Sequence, residues 1–82
     1  MKQKIRNYTI TLRKESEGGF TVTVPALPGC VTYGNDLDEA KKMAQEAIEL
    51  YIESLVEHNE DVPEESETFY TQVTVTPPYQ NA

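Results

Sequence analysis

The sequence predicts an α+β domain of order β-β-β-α-β: a four-stranded mixed sheet, strand order 3-2-1-4, with one long helix on one face. Three observations predict it. Several short stretches alternate apolar and polar residues, the pattern of half-buried strands. One longer stretch repeats apolar residues every three or four positions, the pattern of a helix with one buried face. Between them, Pro25-Ala26-Leu27-Pro28-Gly29-Cys30 and then Gly34-Asn35-Asp36 supply the turn chemistry that closes a strand and opens a helix.

Taken in order, Tyr8, Ile10 and Leu12 alternate with Thr9, Thr11 and Arg13, giving a first strand with one apolar face. Glu17-Gly18-Gly19 reads as a hairpin turn, because glycine adopts positive φ without a Cβ clash. Phe20, Val22 and Val24 alternate with Thr21 and Thr23 in a second strand, ended by Pro25, which has no N–H for a ladder. Leu27-Pro28-Gly29 turns the chain into a short third strand, residues 30–33, with Gly34 as its exit.

The helix is expected to begin at Asp36. The carboxylate of Asp36 can accept from the Glu39 N–H while Glu39 reaches back, a capping box, and Asp36, Asp38 and Glu39 sit at the positive end of the helix dipole. Ala40, Ala44, Ala47, Ile48, Tyr51 and Leu55 form the buried stripe, widened by Met43, Ile52 and Val56. The pattern runs to His58, ~22 residues and ~33 Å, and Asn59 suits a left-handed stop. Residues 60–67 form an acidic loop broken by Pro63. Phe69, Val73 and Val75 alternate with Tyr70, Gln72 and Thr74 in a fourth strand ended by Pro77-Pro78.

Short connections make the first three strands an antiparallel meander. The helix then provides a right-handed crossover that lays strand four parallel to strand one. The face away from the helix is expected to show Thr9, Thr11, Thr21, Thr23, Tyr70, Gln72 and Thr74. Two sheet edges stay open, and natural sheets protect their edges, so a homodimer or higher homo-oligomer is expected, joined by an edge or by the open face. The chain reads as one domain, residues 1–82, with a core over roughly 5–76 and a frayed tail at 77–82.

Charge is unevenly spread along the 82 residues, whose net is −7. Residues 1–14 carry Lys2, Lys4, Arg6, Arg13 and Lys14 and no acid, a sum of +5. Residues 43–82 hold no Lys or Arg and nine acids, a sum of −9. The acidic half repels phosphate backbones and attracts basic partners, which argues against nucleic-acid binding through it. Cys30 is the single cysteine, so no internal disulfide can form, in agreement with a reducing compartment. No stretch reads as a signal peptide, and the apolar runs fall far short of the ~20 residues of a membrane helix; the cytoplasm is the expected location, with no membrane partner.

The run from Phe20 through Pro25, Leu27, Pro28, Gly29 and Cys30, then Gly34, Glu39-Ala40, Glu46-Ala47-Ile48 and Val62-Pro63, resembles the HicB family of toxin–antitoxin antitoxins. The resemblance covers roughly residues 8–76, and its specificity lies in the ordered set. It implies a partial RNase H-like fold of the same element order. It implies direct neutralisation of a small basic ribonuclease toxin of the HicA type. Many members carry a helix-turn-helix or ribbon-helix-helix module after this domain. This chain stops shortly after the fourth strand, so no direct DNA binding by it is expected. Ala26 stands where an acid is common in the family, and Asp36 where a hydroxyl cap is common; Asp caps as well as Thr.

Catalysis finds little support in the residues. Two-metal hydrolysis needs several converging carboxylates, and the first strand contains none, so neither a catalytic residue nor a metal site nor a cofactor is assigned. Cys30 and His58 could pair as nucleophile and base, but Cys30 reads as a small buried hydrophobe and His58 as a cation at the negative end of the helix. Gly18, Gly19, Gly29 and Gly34 have no phosphate-loop spacing. The basic N-terminal segment reads as a solvated strand face. Glu46, Glu49, Glu53 and Glu57 fall on one side of the helix and are the candidate partner-binding residues; the bland alternative is an ordinary solvated face. Pro25, Leu27, Pro28, Gly29, Gly34, Asp36, Glu39 and Ala40 are the candidate structural motif. The expected function is an antitoxin; the alternatives are a toxin-less structural or regulatory interaction module of the same fold and a degenerate RNase H-like enzyme.

Overall fold

The described residues of this computed structural model, 6–65 and 69–78, hold four elements. These are β1 (Thr11–Lys14), β2 (Phe20–Thr23), β3 (Val31–Gly34) and α1 (Leu37–Glu57). The strands form one antiparallel sheet in the order β1-β2-β3. Leu12 pairs with Val22 and Arg13 with Thr21 across the first seam; Val22 pairs with Thr32 and Thr23 with Val31 across the second. The α+β class and the three-stranded meander of the sequence reading are present.

The fourth strand is not. Residues 69–77 take no regular structure, and Phe69, Val73 and Val75 are 88%, 84% and 76% exposed. The order is therefore 3-2-1 among the described residues, not 3-2-1-4. Alternation records a face that seeks burial, and among the described residues no strand pairs with this segment. Tyr70, Gln72 and Thr74 accordingly lie off the sheet, and the open face is built from Thr11, Arg13, Thr21, Thr23, Val31 and Tyr33. Lys2, Lys4 and Glu67 lie outside the described residues, as does the expected tail beyond residue 78.

β1 is also shorter than the alternation from Tyr8 predicts. Continuing its register would set Ile10 against Val24 and Thr9 against Pro25, which has no N–H to give. The Val24 N–H faces the other way and donates to Cys30 O at 3.1 Å. Tyr8 and Thr9 turn to the segment after the helix: Tyr8 Oη donates to Pro63 O at 2.5 Å, and the Thr9 N–H to Glu65 Oε1 at 3.1 Å.

Residues 24–30 fold into a tight loop. Leu27 N–H donates to Val24 O and Cys30 N–H to Leu27 O, both at 3.0 Å, and Gly29 sits at φ +81°, where a Cβ would be strained. These bonds point Leu27 inward, where it is fully buried with Val24 and Cys30 beneath Tyr8, Ile10, Ala47, Ile48 and Tyr51. A second cluster, Val22, Ala40 and Ala44 with Ile10 and Phe20, fills the space under the first turns of α1. The helix rests mainly on β3 and less on β2, so it is offset from β1.

Both helix ends are closed by local chemistry. Glu39 N–H donates to Asp36 Oδ1 at 2.8 Å, and Asn35 N–H to Glu39 Oε1 at 2.6 Å, completing the capping box. At the far end Asn59 takes φ +57°, Asn59 N–H donates to Val56 O and Glu60 N–H to Leu55 O, a Schellman closure. Asp36→Ala should cost about 1 kcal/mol in urea unfolding, while Asp36→Ser should lie within a few tenths of the parent. Equal midpoints for all three chains would mean that the cap bond contributes nothing.

Candidate functional site

The outer side of α1 carries the four glutamates. Residues 46, 49, 53 and 57 fall within about 80° of arc at ~100° per residue, and all four are exposed. Gln45 Nε2 donates to Glu49 Oε2 at 3.3 Å along the same side. The only basic residues of the helix, Lys41 and Lys42, lie in its first turns, so every charge on its second half is a carboxylate.

This surface is mounted firmly. Tyr51, on the opposite side of the helix from Glu46 and Glu53, donates its Oη to Pro28 O at 2.7 Å and ties the 24–30 loop to the helix. At the other end β3 reaches α1 at Gly34: a Cβ there would overlap the backbone N and Cα of Ala40. Ala40 and Ala44, buried and small, permit that approach. The Pro25–Ala40 motif thus acts as the fixture of the helix, with Leu27, Pro28 and Gly29 at one end and Gly34, Asp36, Glu39 and Ala40 at the other. Pro25 itself is exposed and ends the β2 ladder.

Because the helix is offset, a groove of about 1010 Å³ opens between it and residues 6–10, the segment that leads into β1. Ile10, Tyr8, Ile48, Ile52, Val56 and Val62 give it apolar walls, and Glu49 and Glu53 stand on its rim with Lys41 and Arg6. Arg6 Nη1 is buried without a hydrogen-bond partner and pairs with Glu64 Oε2 across 3.8 Å. Helical spacing places Ile52 and Val56 on the buried stripe but does not separate the part of it that borders this groove. The signal that bears on it is the breadth of that stripe, wider than three short strands can cover.

Cys30 and His58 are not brought together. Cys30 is buried in the loop cluster under Tyr51, whereas His58 is exposed at the helix end, ~10 Å further along the axis than Tyr51. His58 Nδ1 lies 2.7 Å from Ser54 O and, facing a carbonyl, carries the proton. Burial pushes the Cys30 thiol up from its ordinary value, so less of it is thiolate at any given pH. Alkylation of Cys30 at pH 8 is therefore expected to be slow in the folded chain and to reach the rate of a free thiol in denaturant; equally fast labelling in both states would mean that the loop is open. Among the described residues, no three His, Cys, Asp or Glu side chains group as metal ligands, and no helix is long and apolar enough to cross a membrane.

Residues 8–82 match the family described as HicB_like antitoxin of bacterial toxin-antitoxin system. A UPF0150 protein of Thermoplasma acidophilum is 48% identical over 59 residues, covering 72% of this chain and 86% of that protein. A UPF0150 protein of Synechocystis is 46% identical over 63 residues, covering 77% and 80%. Antitoxin HicB 1 of Photorhabdus laumondii is 37% identical over 60 residues, which span 73% of this chain but 39% of the antitoxin. The matched family is one of antitoxins and not of enzymes. With the match running from Tyr8 through the loop, the capped helix and the segment beyond it, this chain belongs to the HicB-like antitoxin family.

Proposed function

We propose that this chain neutralises a small basic ribonuclease of the HicA type in the cytoplasm, by stoichiometric contact and without catalysis or a cofactor. The observation that carries the reading is the exposed row Glu46, Glu49, Glu53 and Glu57 on a helix capped at both ends, in a region without a single Lys or Arg. A ribonuclease must attract RNA, so its working face is positive. Carboxylates held on a rigid rod complement such a face, steer its approach and compete with RNA for it. Family membership supports an antitoxin role in general; the HicA-type partner and the four contact residues are the proposal.

The test is stopped-flow association with a small basic ribonuclease of the HicA type. Reversing all four charges, Glu46→Lys, Glu49→Lys, Glu53→Lys and Glu57→Lys, should slow association roughly 10- to 1,000-fold at low salt and leave little salt dependence. The helix signal in circular dichroism should persist. Unchanged association at low salt would reduce the row to a solvent-facing surface.

A further inference from the structure

The two walls of the groove are held in different ways. The α1 wall is fixed to the rest of the fold by the Gly34–Ala40 approach and by the Tyr51–Pro28 bond. The facing wall, Arg6, Asn7, Tyr8 and Ile10, precedes β1 and lies in no strand. Its inner end is seated, because Ile10 packs against both core clusters. Ahead of Ile10, three contacts run to three consecutive residues beyond the helix. Tyr8 Oη donates to Pro63 O, Arg6 Nη1 pairs with Glu64 Oε2, and the Thr9 N–H donates to Glu65 Oε1.

Those three partners stand where the helix puts them. The turn at Asn59 and Glu60 sets the direction in which the chain leaves α1, and Val62 lines the groove just before the contacts begin. One wall is thus tied to the end of the element that forms the other. The hold is uneven along its length. The Tyr8 and Thr9 contacts are hydrogen bonds of 2.5 and 3.1 Å, whereas Arg6 reaches Glu64 across 3.8 Å and its buried Nη1 makes no hydrogen bond. The wall is therefore firm at Ile10 and weakest at Arg6.

A segment outside every ladder, tied to one other segment, can open while the sheet and helix stay intact. We infer that residues 63–65 are a clasp and that residues 6–9 are the movable side of the groove. Closed, the clasp sets the width of the groove. Open, residues 6–9 swing about Ile10, Tyr8 leaves the loop cluster, and the apolar wall of Ile48 and Ile52 is bared. The movement gives up two hydrogen bonds, one loose ion pair and the packing of one half-buried tyrosine, and it leaves the buried residues of both core clusters in place.

Residue-resolved amide exchange on the full chain tests this. The Thr9 amide should be protected although it lies outside every strand, yet exchange faster than the Ile48 amide in the middle of α1. Glu65→Ala should speed Thr9 exchange about 2- to 13-fold, the equivalent of one hydrogen bond, and Glu65→Gln, which keeps an acceptor oxygen, should undo most of that. Tyr8→Phe should speed Thr9 by a similar factor without touching its bond, because the clasp opens as a unit. Asp36→Ala, at the distant end of the helix, is the converse: Ile48 should exchange about 5-fold faster and Thr9 at the parent rate. An unprotected Thr9 in the parent, a Thr9 rate indifferent to Glu65→Ala or to Tyr8→Phe, or Thr9 and Ile48 rising together in Asp36→Ala would each overturn the clasp. No partner takes part in these measurements, so they stand apart from the association test above.

Discussion

Leu27→Ala is expected to lower stability by about 2–5 kcal/mol, one of the two largest single effects in this chain. Leu27 is fully exposed to no solvent, 0%, at the centre of the loop cluster, and its backbone is held on both sides, by Val24 O and to Cys30 N–H. The loop therefore cannot collapse into the vacated space, which places the cost in the upper part of that range. A domain of this size holds only ~4–12 kcal/mol in total, so the variant should be marginal at 37 °C. Leu27→Met keeps the volume and should cost less than ~1.5 kcal/mol. Urea unfolding followed at the helix band measures both; indistinguishable midpoints for Ala and parent would remove Leu27 from the core.

Gly34→Ala should be comparably severe, ~3 kcal/mol at the upper end of overpacking costs. At a permissive site the same change stabilises, by ~0.4–1 kcal/mol, through the unfolded chain. The sign reverses here because the added Cβ meets backbone: the N and Cα of Ala40 and the carbonyl carbon of Glu39. No rotamer can relieve that contact. Shortening the neighbour, Ala40→Gly, leaves the clashing atoms in place and should not rescue the variant, which separates this cause from side-chain crowding. Rescue by Ala40→Gly, or a Gly34→Ala chain as stable as the parent, would contradict the packing described.

How far the sequence reaches follows from the range of the chemistry involved. The capping box at Asp36 and Glu39, the stop at Asn59 and the hairpin at Gly18-Gly19 are contacts within a few residues, and each stands where the residues place it. The exposure of Glu46, Glu49, Glu53 and Glu57 follows from helical period alone. The third strand was legible in extent but not in facing: its register against β2 puts Val31 and Tyr33 on the open side, where Tyr33 Oη donates to Gly18 O at 2.9 Å and spans the hairpin. The fourth strand and the groove were not legible as they stand. Alternation at Phe69, Val73 and Val75 names a face without naming its cover. The sideways position of the helix is set by the Gly34–Ala40 approach and the Tyr51–Pro28 bond, contacts that no periodicity encodes.

The sideways seating of α1 has a kinetic consequence. β3 joins the helix through two residues, Asn35 and Asp36, and lies under it, whereas among the described residues β1 pairs along one seam alone, and the bonds to Pro63 and Glu65 come from Tyr8 and Thr9 ahead of it. The β3–α1 hairpin is the short-range, densely packed half, suited to nucleate folding and to be the last part to melt. Amide exchange should run as a gradient across the sheet, fastest at Thr11–Lys14 and slowest at Val31–Gly34, so that the molecule unzips from one side.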